Sequence, residues 1–256
     1  MASTWLAAAA MTALVHAPGV ISNEMAITPP SVAAPASAWT SVALTETPAR
    51  WRTHVCAGVT GVSDNNAQYI VDRVSHRAAE LGLRTGAPGC TANLLIVFSS
   101  NPDGQAEAIA RERTDPASLS GRNGDNAGRT AFTAFLNSDG PVRWWRVTRS
   151  VTDAGVVANR DLRAGEAPRI DVPERGRLAS TTFEAFSHVI VIVDLAQVNG
   201  QRLDALADYI AMVGLSPVGV RSDIEGGSSI LGLFSETPAP GAITEADRVY
   251  LERVYR

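Results

Sequence analysis

The residues best able to do chemistry are four histidines, two cysteines, a short acidic pair and one aromatic-basic run. His16, His54, His76 and His188 include no two spaced three or four apart on a helix, so no local zinc pair exists. A long-range site from His54, His76 and His188 stands against scattered core or surface histidines. His76 falls off the apolar stripe of its segment and reads as solvated. Asp204 and Asp208 lie four apart and share one helical neighbourhood. In a cleft they would divide acid and base roles; elsewhere they form a solvated acidic flank. Ser216, within Gly214-Leu215-Ser216-Pro217-Val218-Gly219, sits one residue out of the G-x-S-x-G elbow and follows a helix, not a strand. Gly226-Gly227-Ser228-Ser229 lacks the Gly-Lys-Ser/Thr of a phosphate loop. The run 121–126 has calcium-turn residues without EF-hand spacing and reads as a solvated loop.

Arg143-Trp144-Trp145-Arg146 is the candidate binding element. Successive strand side chains face opposite ways. One indole can therefore fill the core while the other stands exposed beside arginine, a pairing suited to a protein, a glycan or an anionic polymer. Packing of both indoles is the competing reading.

These residues need elements to position them. An extended stretch falls within 50–59. Ser63 then caps a helix with Ala67, Ile70, Val71, Val74, Ala78 and Leu81 on one stripe, stopped by Gly82. Residues 93–98 form an apolar run suited to a strand buried on both faces. Asn101-Pro102 opens a second helix. Strand, helix, strand, helix predicts a parallel pair with a right-handed crossover. Residues 114–142 read as loop, 142–150 as a strand, Asp153-Ala154-Gly155 as a hairpin turn, and 159–177 as irregular. The run 188–193 is the second buried strand. Gln201 to Val213 is a helix with Leu203, Leu206, Ala207, Ile210 and Gly214 on one face. Thr244-Glu245-Ala246-Asp247 resembles a capping box and opens a closing helix.

The last seventy or so residues resemble the C-terminal half of metzincin-type zinc proteases. That pattern is H-E-x-x-H-x-x-G-x-x-H, a Ser-Ile-Met turn, and a closing helix that begins Leu-Thr-x-x-Asp and ends near a Tyr. Gly214-Leu215 matches its glycine, Ser229-Ile230-Leu231 its turn, and Ile243-Thr244 through Tyr255 its closing helix. The metal positions depart from it. The helical ligands fall on Ala207 and Ala211, the third on Pro217, and the glutamate on Asp208. Neither a methyl group nor a proline ring donates to zinc, and a general base there would have no metal-bound water to act on. The resemblance thus implies an α/β (α+β) fold: a metzincin-like mixed twisted sheet with packed helices, in one domain. It denies the usual chemistry. The chain also resembles a group of exported bacterial proteins that brings no assigned activity. That likeness rests on Trp51, Cys56, Gly89-Cys90, Asn93, Pro141-Val142-Arg143, Trp145 and the run 206–213.

Composition narrows the rest. The chain has 256 residues, 45% of them hydrophobic, which excludes wholesale disorder. All 22 basic residues are arginine against 26 acidic ones, so no basic stripe marks a nucleic-acid binder. Residues 5–15 are apolar and too short to span a bilayer. They read as the core of a signal peptide over 1–17, with its cleavage site open. Residues 18–49 read as an Ala/Pro/Ser-rich tether and 50–256 as the globular domain. No cysteine follows the apolar run closely, so no lipoprotein anchor is expected. Cys56 and Cys90 are either a bridge or two buried thiols, and export favours the bridge. Closing that loop would add roughly 4 kcal/mol in a chain-entropy treatment.

The expectation is a non-enzymatic exported protein, periplasmic or extracellular, on a degenerate metalloprotease scaffold. No catalytic residue, metal or cofactor is expected. Its partner would be an unidentified protein or envelope polymer, not nucleic acid, and it would have no transmembrane span. Two alternatives stay open: a hydrolase of peptides or cell-wall polymers using residues near Asp208, and a partner-binding module using the Trp144–Trp145 strand.

Overall fold

The computed structural model describes residues 49–112, 128–152, 182–218, 229–235 and 238–256. Strand β1 (Ala57–Thr60), helix α1 (Asp64–Glu80) and strand β2 (Leu94–Ser99) follow the residue pattern, except that Ser63 stands at the N-cap of α1 without a side-chain capping hydrogen bond. Helix α2 (Pro102–Glu112) starts at the anticipated proline, and Gly104 N–H donates to Asn101 Oδ1 at 3.1 Å as its cap. Then come α3 (Gly128–Leu136), β3 (Val142–Thr152), β4 (Thr182–Asp194), α4 (Leu203–Leu215), a 3-10 helix (Ile230–Phe234) and α5 (Glu245–Tyr255).

The strands lie in the order β1-β2-β4-β3. β1, β2 and β4 run parallel, and β3 pairs antiparallel with β4. Outside β1, Thr85 bridges Val55 in parallel and adds a short fifth extended segment. This is a mixed sheet with packed helices in one domain, the fold class expected from the resemblance. The apolar runs of β2 and β4 occupy interior positions, where both faces need cover. β4 divides its side chains by parity: Val189, Val191 and Val193 enter the larger core with α1 and α4, while Ile190 and Ile192 enter a smaller one with α2 and α3.

Three further features depart from the sequence reading. Helix α3 falls where loop was expected. Phe132, Phe135 and Leu136 are helically spaced but follow a Gly/Asn-rich run, and packing on Trp145 supplies what local pattern does not. β4 begins at Thr182, because pairing with β3 continues past the doubly buried run, with a register shift between Val147 and Thr148. Ala49 is fully buried and Arg50 bridges Ala185, so the packed unit already includes position 49. The leader, most of the tether, the 121–126 run, the Asp153–Gly155 turn, 159–177 and Gly226-Gly227-Ser228 lie outside the described residues.

Candidate functional site

Helix α4 (Leu203–Leu215) carries Ala207, Asp208 and Ala211, the positions that the metzincin resemblance would align with its metal motif. Its sequence is apolar on every side apart from two aspartates, and every residue but Asp204 is buried. A helix of that kind belongs inside a protein, so the expectation of one apolar face and one solvated flank is corrected. Gly214 sets its approach to the sheet: a Cβ there would stand 3.0 Å from Leu94 Cδ2. Trp51 Nε1 donates to Gly214 O at 2.9 Å. Ala207 and Ala211 are each 0% exposed, and Pro217 is half-buried. Ala207 and Ala211 are therefore part of the core, not the wall of a cleft.

Asp208, also 0% exposed, is not a solvated flank either. Arg73 donates through Nε and Nη2 to Oδ1 and Oδ2, both at 2.8 Å. Arg77 does the same at 2.9 and 3.0 Å, and Ile243 N–H adds a bond to Oδ2 at 3.0 Å. A carboxylate offers about four lone-pair sites, so five donors leave none for a substrate proton or an attacking water. Burial pushes the Asp208 carboxyl up, but the Arg73 and Arg77 hydrogen bonds outweigh it and hold the group below the usual carboxylate range. Arg77 Nη1 also donates to Glu80 at 2.9 Å, which balances the second guanidinium. Asp204 pairs with Arg202 instead of Asp208, so the two aspartates make no acid-base couple. This arrangement leaves the hydrolase reading no open carboxylate at Asp208. Arg73 and Arg77 escaped the sequence reading. The available signal was an aspartate flanked by apolar residues on α4, a buried charge that demands cationic partners, together with two arginines four apart on α1.

The pieces that follow α4 are tied together. Asp247, at the N-terminus of α5, accepts from Ser229 Oγ at 2.6 Å, Ile230 N–H at 2.8 Å, and Thr244 N–H and Oγ1 at 2.9 Å each. Thr244 Oγ1 in turn accepts from Asp247 N–H at 3.2 Å, completing the expected capping box. Burial dominates at Asp247 and lifts its carboxyl above the usual range against those bonds. Tyr255 donates its hydroxyl to Leu215 O at the end of α4. The Ser-Ile turn, the Thr/Asp cap and the terminal tyrosine thus hold α4, the 3-10 helix and α5 in one arrangement.

Both indoles of the Arg143–Arg146 run are buried, at 5% for Trp144 and 3% for Trp145. Trp144 enters the α4 side, where Tyr209 meets it edge-on at 6.5 Å. Trp145 enters the α3 side against Phe132 and Phe135. Two covered faces claim two adjacent side chains, so the exposed-indole arrangement is corrected. The arginines serve packing too. Arg143 donates to Leu136 O and Asp103, and Arg146 donates to Val213 O and Val218 O at 2.6 Å each. Ser216 is buried and donates to Met212 O at 2.6 Å.

Cys56 and Cys90 form a disulfide. His54 and His76 are exposed, with His76 beside Glu80, and His188 is half-buried on β4. Among the described residues, no three His, Cys, Asp or Glu side chains converge as a metal site would require, and no helix is long and apolar enough to cross a membrane. Comparison with models of known families, with curated proteins and with solved structures gave no match.

Proposed function

We propose that this chain is a non-enzymatic exported protein on a metzincin-like framework, kept for a binding or structural role in the cell envelope. One observation carries the reading: Ala207 and Ala211 are packed as core, while every acceptor of Asp208 is taken by Arg73, Arg77 and Ile243. The framework reading is supported by three parallel strands with an antiparallel edge strand, followed by a buried helix, a Ser-Ile turn and a capped closing helix. The disulfide suits an oxidising compartment.

Metal analysis and peptidase assays on the purified full chain test this. We expect substoichiometric zinc and no chelator-sensitive cleavage of casein or of a peptide library. One zinc per chain, lost together with a peptidase activity on chelation, overturns the reading. Fractionation of the source cells tests export, and recovery in the cytoplasm rejects it.

A further inference from the structure

The segment 84–91, between α1 and β2, has no buried residue. It runs outside β1 as the fifth extended segment and is fastened at few points. Val55 N–H donates to Arg84 O and Gly86 N–H donates to Val55 O, each at 2.8 Å. Beyond Gly86 the chain turns back through Ala87-Pro88-Gly89-Cys90, with Cys90 N–H donating to Ala87 O at 3.0 Å and Gly89 at φ +83°. Proline second and a left-handed glycine third are the residues of a type II turn. The turn delivers Cys90 to Cys56. Gly86 lies against the bridge so closely that a Cβ there would stand 2.2 Å from Cys90 Sγ.

We propose that the Cys56–Cys90 bridge is a redox-operated clasp on this strap: reduction frees 84–91 and uncovers the sheet edge at Val55, while the sheet and both cores stay folded. The two ends of the strap are held without the bridge. Leu83 N–H donates to Ala78 O at 3.0 Å, and Leu83 leans on the larger core. At the other end Asn93 makes its own junction with β1. Cys56 N–H donates to Asn93 Oδ1 at 2.8 Å, Asn93 N–H donates to Cys56 O at 3.0 Å, and Asn93 Nδ2 donates to His54 O at 2.8 Å. The β1–β2 ladder then continues from Ala57 and Leu94. Loss of the bridge therefore leaves β1 attached to β2 and removes the covalent hold on the strap alone.

The reductant is a dithiol. Cys90 is half-buried and Cys56 is 2% exposed, so the attacking thiolate reaches Cys90 Sγ. The S–S bond breaks and Cys56 leaves as a thiolate that takes a proton. The reductant's second thiol attacks the mixed disulfide and releases Cys90, which is protonated in turn. Two electrons and two protons pass to the protein, and the dithiol becomes a disulfide.

Residue-resolved hydrogen exchange on the full chain tests the clasp, comparing the oxidised protein with the same protein in excess dithiothreitol and with Cys56→Ser/Cys90→Ser. The amides of Val55 and Gly86 should exchange about tenfold or more faster in both reduced and double-variant forms, while those of Ile190 and Val191 stay within about twofold. Unchanged protection at Val55 and Gly86 overturns the proposal. Acceleration of Ile190 and Val191 in step with them overturns it equally, because the bridge would then hold the core.

Discussion

The guanidinium of Arg77 meets the carboxylate of Asp208 through two parallel hydrogen bonds, Nε to Oδ1 at 2.9 Å and Nη2 to Oδ2 at 3.0 Å, across 131 residues of chain. Both side chains are withdrawn from water. The pair joins α1 to α4, and Arg73 reinforces it from the more exposed side. Removing one partner of such a pair strands the other charge in a low-dielectric interior. Asp208→Ala should therefore lower unfolding stability by about 3–5 kcal/mol, read from urea denaturation. A change below 1 kcal/mol would mean that the arginines reach water without it.

The pH dependence carries a definite sign. A carboxyl held below its usual range in the folded state stabilises the fold above its unfolded pKa, near 4. That stability is lost as pH falls through the lower folded value. Asp247 acts in the opposite sense. Its folded pKa is raised, so its contribution is full below about pH 4 and is lost as pH rises through the folded value. Urea midpoints from pH 3 to 7 should show Asp208→Asn flattening the acid-side loss. Asp247→Asn should instead remove the decline above pH 4. The same slopes in both variants would refute the assignment.

How much of this was legible in the residues depends on where each signal resided. The interior strands declared themselves through the runs 93–98 and 188–193, because burial on two faces demands apolar side chains. The capping box at Thr244 and Asp247 was readable because its chemistry is local. Helix α3 was not, since its support is Trp145 on a strand that follows it in the chain. The status of Asp208 was hidden for a related reason. Nothing within α4 reveals that Arg73 and Arg77, more than a hundred residues earlier, occupy its oxygens. The Ala207–Ala211 face could be seen to lack donors, but its burial depends on how other elements close over α4.

Asp247 also predicts a local effect. Its carboxylate holds both Ser229 Oγ and Ile230 N–H, so it fixes the start of the 3-10 helix as well as the cap of α5. Asp247→Ala should cost about 1–3 kcal/mol. Amide exchange should quicken at Leu231 and Gly232 before it does in β4. Loss of protection only at α5 would restrict Asp247 to capping.

The indoles of β3 should behave as core on both faces. Trp144→Ala and Trp145→Ala should each destabilise by about 3–5 kcal/mol, the range for emptying an aromatic site. Their effects should add to within about 0.5 kcal/mol, because they face separate clusters across the sheet. A full loss of partner capture with unchanged stability would restore the exposed-indole reading.

Placing imidazoles at Ala207 and Ala211 provides a direct check on the proposed metzincin-like framework. In Ala207→His/Ala211→His, each new ring must enter the core at a place with no solvent exposure. Overpacking costs about 1–3 kcal/mol per site, and an imidazole without a hydrogen-bond partner adds a desolvation cost. Zinc would have to recover that cost, yet the third position is Pro217, which has no donor, and Asp208 is already bound by two arginines. The double variant should therefore lose at least about 3 kcal/mol of stability and take up no stoichiometric zinc at micromolar metal. Stable folding with one tightly held zinc would mean that the region beside α4 has room for a metal and is not filled core.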